Sequence, residues 1–183
     1  AAPKKEGKNT KEISRSHKII VSDNGLVTIT GGKWTSYRLM AEDTVDKAIE
    51  VAGMPARKCV TKKFRIHGYR KNPDLTNHMY VYGTDEEKIL ALIKENPALG
   101  EKLSEKYGYT LAEVVWAVRE EMALTVEDVL ARRVRMLFVD AREAMAAAPK
   151  VAETIARELG HDQAWIDAQV KSFCDMAKSY IFE

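Results

Sequence analysis

Four times from residue 84 onward, a hydroxyl or carboxylate residue is followed three positions later by an acid at the head of an apolar run with helical spacing. These are Thr84-x-x-Glu87, Thr110-x-x-Glu113, Thr125-x-x-Asp128 and Asp140-x-x-Glu143. A side-chain oxygen at such a position bonds a backbone N–H that has no intrahelical partner, so each marks a helix start. Ile89, Leu90 and Ile93 line the first helix, which ends at Asn96-Pro97. Val114, Val115, Val118 and Met122 line the second, and Val126, Val129, Leu130 and Leu137 the third. Pro149 is expected to open a further helix as its first residue, and Gly160 to close it. A last helix is expected over 162–180, with Trp165, Ile166, Val170, Phe173 and Ala177 inward. The pattern predicts an all-α bundle over 84–183.

The first part of the chain reads differently. Residues 1–12 are polar and rich in Lys, Gly and Asn, and are expected to form a flexible lead-in. Two β-rich runs follow, His17-Lys18-Ile19-Ile20-Val21 and Leu26-Val27-Thr28-Ile29-Thr30, separated by Ser22-Asp23-Asn24-Gly25, whose Asn-Gly is a hairpin signal. The second run passes through Gly31-Gly32 into a helical pattern from Thr35. There Met40, Thr44, Val45, Ala48, Ile49 and Ala52 share one face, and Gly53 and Pro55 stop the helix. Strand, glycine turn and helix N-terminus together bring backbone N–H groups and a positive dipole end to one point, an arrangement suited to an anionic or electron-rich guest. An irregular connector is expected over 55–83, with β-leaning pieces at Cys59-Val60-Thr61 and Phe64-Arg65-Ile66. A two-stranded hairpin is marginal by itself, so this one is expected to belong to a larger sheet.

Composition excludes more than it selects. The 29 Lys and Arg are nearly cancelled by 27 Asp and Glu, leaving a net charge of +2 and no general affinity for nucleic acid or anionic membranes. Cys59 and Cys174 form no C-x-x-C and are too few for a disulfide framework, which favours a reducing compartment. No apolar run approaches the ~20 residues of a spanning helix, and the N-terminus is unlike a secretory signal. His67, His78, Cys59 and Cys174 lack metal-ligand spacing, so no metal site is expected.

Several segments carry a resemblance. Ile13-Ser14-Arg15-Ser16-His17, then Gly25 through Arg38 with Gly-Gly-Lys-Trp-Thr-Ser-Tyr-Arg at its centre, then Met40-Ala41-Glu42-Asp43-Thr44-Val45-Asp46 are similar to the C-terminal part of the FAD-dependent, mitochondrial-type glycerol-3-phosphate dehydrogenases. Val118-Arg119-Glu120-Glu121-Met122-Ala123 and Glu127-Asp128-Val129-Leu130-Ala131-Arg132-Arg133 resemble that family's C-terminal helical domain. The resemblance implies a flavoenzyme that oxidises sn-glycerol 3-phosphate to dihydroxyacetone phosphate. Hydride passes to FAD and electrons onward to a membrane quinone, or to oxygen in oxidase relatives. It implies that this chain is the last third of such an enzyme, inactive and without FAD by itself, since the dinucleotide G-x-G-x-x-G is absent from these residues. The implied fold is mainly α: a β-hairpin remnant of the flavin-binding domain over 13–54 leads into the helical domain. The implied partners are the missing N-terminal FAD domain, glycerol 3-phosphate and quinone, without nucleic acid. The complete enzyme is placed in the cytoplasm or peripheral to the inner membrane, and homodimerisation is left open.

Carried over position by position, the resemblance assigns cofactor contact to Gly31, Gly32, Lys33, Trp34 and Thr35, and substrate contact to Arg15 and Lys33. The arginine supplies a bidentate donor and the lysine a point charge for a phosphate dianion. The general base of the family is assigned to the missing portion, so no catalytic residue is expected here. Ser36 stands where the family has threonine and keeps the hydroxyl. Trp34 and Tyr37 read as packing residues rather than rings stacked on a flavin, His17 as a surface strand residue, and Arg38 as a partner of Glu42. Arg119 is expected to be a buried ion-pair partner. Arg132-Arg133-Val134-Arg135 reads as a solvated or ion-paired face beside Glu120, Glu121, Glu127 and Asp128, rather than a nucleic-acid stripe. The alternative function is a non-catalytic helical interaction or oligomerisation module.

Overall fold

The computed structural model describes residues 2–3, 13–14 and 16–182. Contacts divide the chain into two units, Ala1–Ile66 and His67–Glu183. In the first, β1 (Ala2–Pro3) pairs antiparallel with β2 (Ile13–Ser14). The rest of the expected lead-in, 4–12, and Arg15 lie outside the described residues.

The predicted hairpin is formed by β3 (His17–Val21) and β4 (Val27–Gly31), antiparallel, with His17 opposite Gly31 and Val21 opposite Val27. The turn closes through the Gly25 N–H on the Ser22 carbonyl at 2.8 Å, and Asn24 Oδ1 accepts from the Leu26 N–H at 3.2 Å. A short 3₁₀ turn, Trp34–Ser36, then leads into α1 (Tyr37–Val51), so the α-helix proper starts two residues after Thr35. The β-leaning pieces at Cys59 and Phe64 carry no strand. None of the described residues of this unit is fully buried, and Val45, on the expected inner face of α1, is exposed.

The second unit holds the core, with Ile89, Val114, Val115, Val126, Val129, Leu130, Met136, Val151 and Ile155 out of contact with solvent. It is built from α2 (Glu86–Glu95), α3 (Leu111–Glu121), a π-helical stretch at Asp128–Arg133, α4 (Met136–Val139), α5 (Ala141–Leu159) and α6 (Gln163–Ala177). α5 is the central element, packing on α3, α4 and α6. Its inner face of Ala144, Ala147, Ala148, Val151, Ala152 and Ile155 follows the i, i+3, i+4 spacing, and the alanines let neighbouring backbones approach. The chain is therefore mainly α, with a small N-terminal hairpin, as the pattern predicts.

Several expectations are corrected in detail. Thr84 does not cap α2; Asp85 occupies that position without a side-chain cap bond. Leu90 is half-exposed, because the buried stripe runs through Ile89, Leu92 and Ile93. Met122 lies past the end of α3 in a left-handed conformation with its side chain in solvent. The run from Val126 to Leu137 is not one helix, since a π-helical stretch and a left-handed Arg135 interrupt it. Pro149 does not open a helix but sits inside α5 on its exposed side. The Met145 carbonyl, which a residue with an N–H at 149 would bond, instead accepts from the Cys174 thiol of α6 at 3.9 Å.

The other signals act as caps. Glu113 reaches back to the Thr110 N–H at 2.8 Å. Thr125 and Asp128 exchange bonds, each side-chain oxygen accepting the other's N–H at 3.1 Å. Asp140 accepts from the Glu143 N–H at 3.0 Å and Asp162 from the Trp165 N–H at 2.9 Å. The segment before α2, without a periodic signal, is tied down by polar pairs: His67 with Asp85 and Arg70 with Glu86. There the backbone of Gly83, at φ 56°, passes so close to Gly68 that a Cβ would meet the Gly68 carbonyl oxygen at 1.8 Å.

Candidate functional site

Gly31 and Gly32 both take positive φ, 79° and 82°, a region that a Cβ makes costly. At Gly32 a Cβ would also meet Met40 Sδ at 2.6 Å and His17 Cβ at 3.3 Å. The chain thus reverses between β4 and α1 with bare backbone at its surface. Two bonds hold the turn: the Ser36 N–H donates to the Lys33 carbonyl at 3.0 Å and the Ser36 hydroxyl to the same oxygen at 2.9 Å. His17 Nε2 lies 2.7 Å from Asp43 Oδ2, tying β3 to α1, so it is a half-buried anchor rather than a surface residue.

An open cavity of about 560 Å³ lies at this turn. Gly31, Gly32, Lys33 and Trp34 line it, together with Ile29, Tyr37, Met40, Ala41, Thr44 and Val45. Of the residues assigned to this site from sequence, Thr35 is exposed and outside the lining, and Arg15 is not among the described residues. Lys33 is exposed and has no ion pair among the described residues. Trp34 and Tyr37 stack with centroids 5.9 Å apart, yet they are 87% and 63% exposed, so the expected packing role fails within this unit. Of the additional lining residues, Met40, Thr44 and Val45 belong to the periodic face of α1, and Tyr37 reads from the sequence as a packing residue rather than part of a site. Arg38 bonds Glu42 at 2.6 Å as expected, and that hydrogen bond holds its guanidinium above the ordinary value.

On the other flank of α1 a further cavity, of about 340 Å³, runs between Ala41, Val45 and Ile49 and the segment 57–61. The apolar sides of α1 are therefore open on both flanks. In the helical unit, Arg119 forms its expected pair, with Glu158 at 2.6 and 3.0 Å, but half-exposed rather than buried. Arg132 pairs with Glu127 at 2.5 Å and Asp128 at 2.9 Å. Among the described residues there is no group of three or more His, Cys, Asp or Glu placed to hold a metal ion, and no helix is long and apolar enough to cross a membrane.

Residues 28–166 match the family described as the C-terminal domain of alpha-glycerophosphate oxidase. The chain is 34% identical over 195 aligned positions to a probable mitochondrial glycerol-3-phosphate dehydrogenase of Caenorhabditis elegans, covering 95% of this chain and 26% of that protein. It is 37% identical over 171 positions to a probable glycerol-3-phosphate dehydrogenase of Encephalitozoon cuniculi, covering 84% and 28%. With the mitochondrial glycerol-3-phosphate dehydrogenase SDP6 of Arabidopsis thaliana it shares 32% over 205 positions, covering 95% and 32%. The chain spans about a quarter to a third of the length of these relatives. With a match that takes in both the glycine turn and most of the helical unit, the chain belongs to the family of alpha-glycerophosphate oxidase C-terminal domains.

Proposed function

We propose that this chain is the C-terminal part of an FAD-dependent glycerol-3-phosphate dehydrogenase, and that its glycine turn is one side of the active site. The carrying observation is the juxtaposition at the turn: two successive positive-φ glycines, a lysine without an ion pair among the described residues and an open cavity, inside the segment that matches the family. The residues present fit a flavin edge, because bare backbone at Gly31 and Gly32 admits a planar ring where a side chain would stand. A bound flavin would supply the hydride acceptor for oxidation of the substrate's secondary alcohol.

The chain's own residues bind and orient. Lys33 offers an ammonium to the phosphate dianion of glycerol 3-phosphate, and Arg15 a planar fork for the same group. Trp34, beside Lys33 at the cavity rim, and the Thr35 hydroxyl border the cofactor side. The Trp34–Tyr37 stack gains its cover from the preceding flavin domain of the longer polypeptide, as do the open flanks of α1. The general base belongs to that preceding part, so turnover requires it, and electrons leave to a quinone.

The test is Lys33→Ala in the full-length enzyme. A charge-assisted bond to phosphate contributes about 1.5–3 kcal/mol, so KM for glycerol 3-phosphate should rise about 10- to 150-fold with the flavin content unchanged. Unchanged KM and kcat would refute the substrate role of Lys33. Running the same assay with a quinone analogue and with oxygen identifies the acceptor.

A further inference from the structure

Within the helical unit a cavity of about 320 Å³ opens between the His78–Asp85 segment, Tyr109 and the turn that leads into α4. The Glu113 carboxylate lies at its base, fully buried and already answered by three donors besides the Thr110 hydroxyl. These are His78 Nε2 at 3.2 Å, the Tyr82 hydroxyl at 3.1 Å and the Thr110 N–H at 2.8 Å. Arg133 and Arg135 also line the space. Their situations differ. Arg133 faces Asp128 at 3.4 Å and donates to the carbonyls of Asp128 and Glu121, so it is engaged in holding the end of α3 and the π-helical stretch. Arg135 has no ion pair among the described residues, and its guanidinium sits 5.8 Å from the Phe138 ring centroid. It is exposed, and of the three arginines in the run it is the one without an ion pair among the described residues.

The backbone that presents Arg135 is unusual in two respects. Its φ of 58° is left-handed, which a residue with a Cβ adopts rarely, and it lies two residues past the end of the π-helical stretch Asp128–Arg133. Both features are frequent at functional sites, although the left-handed Met122 of this chain simply ends α3. Glu113 is answered by its own donors, and Arg133 by the carboxylates of Asp128 at 3.4 Å and Glu121 at 4.0 Å, so the charge left without an ion pair among the described residues is that of Arg135. Val81, Val134 and Val139 line its remaining wall and supply apolar surface.

We propose that this cavity is a binding site for a small organic anion, a carboxylate or phosphate on a short aliphatic body, with the anionic head on Arg135 and the body against Val81, Val134 and Val139. The volume falls at the small end of sites for small molecules. The reading rests on the helical unit alone and is independent of the flavin assignment.

The variant that tests it is Arg135→Gly, because glycine keeps the left-handed backbone and removes only the guanidinium. The chain is titrated with sodium phosphate and, separately, sodium malonate at constant ionic strength, and backbone amides are followed by NMR. The expected result is saturable shifts near Tyr109, Arg135 and Val139 with at least one of the two anions, weakened about tenfold or more in the variant. Which anion saturates identifies the head group. No saturable shift with either anion, or equal affinity in the two proteins, would overturn the proposal. Thermal unfolding of the variant at or above the wild-type temperature shows that lost binding is not lost folding.

Discussion

A carboxylate in the first turn of a helix ordinarily faces water, and Glu113 does not. It keeps its capping bond to the Thr110 N–H, and the same side chain gathers His78 and Tyr82 from a segment more than thirty residues earlier. Burial, then the charge of Glu113, push the Tyr82 phenol far above its usual range, so the hydroxyl remains a donor. Removing Glu113 leaves the His78, Tyr82 and Thr110 N–H donors without their buried acceptor, a loss of about 3 kcal/mol. Glu113→Ala is therefore expected to lower the stability of the helical unit by about that amount in urea unfolding followed by circular dichroism; a loss below about 1 kcal/mol would mean that water replaces the carboxylate. The Thr-x-x-Glu spacing made the cap legible, whereas nothing local in the sequence joins Glu113 to His78, since that bond exists only once the chain has folded back. Lys33 shows the converse. Its charge was legible, and the cavity beside it required the fold.

At the scale of elements, α5 shows where local punctuation misleads. Pro149 carries a strong start signal, yet the helix runs unbroken from Ala141 to Leu159 because Asp140 already caps it and the alanine face on either side of the proline is buried continuously. Packing of that face outweighs the one backbone bond that proline forgoes. The ring points to solvent, and the freed Met145 carbonyl finds the weak Cys174 thiol donor. Pro149→Ala restores the backbone bond at an exposed position. It should stabilise the helical unit by about 2 kcal/mol, the cost of an interior proline less its advantage in the unfolded chain. A matching rise in melting temperature checks this; a fall would show that the ring packs against something the helix needs. The stretch from Val126 to Leu137 fails for a related reason. Its apolar positions are all buried as read, but the π-helical stretch and left-handed Arg135 that deliver them there have no periodic signature.

For the molecule as a whole, the two units differ in kind. Every buried residue among the described ones lies in His67–Glu183. A hairpin and one helix with both flanks open cannot offset the entropy of ordering them, whereas the helical unit has a continuous core. Produced alone, residues 67–183 should unfold cooperatively within about 5 °C of the corresponding transition of the whole chain, the shift that a change of about 1 kcal/mol produces. Residues 1–66 alone should show no sigmoidal transition by circular dichroism. A cooperative transition in 1–66, or none in 67–183, would contradict this division of stability.

The sequence alone determined the class of every long helix, the hairpin, the glycine turn and the family likeness, because these rest on nearest-neighbour physics: capping bonds, periodic burial and turn residues that tolerate positive φ. Only the tertiary structure decided that Trp34 stands in solvent, that Glu113 joins the His78–Asp85 segment to the head of α3, that α5 ignores its proline, and that Arg135 alone of its run has no ion pair among the described residues. Each of these depends on which groups meet across long separations in the chain, and such meetings are set by how buried faces pack and which polar groups must then find partners, not by the residues on either side.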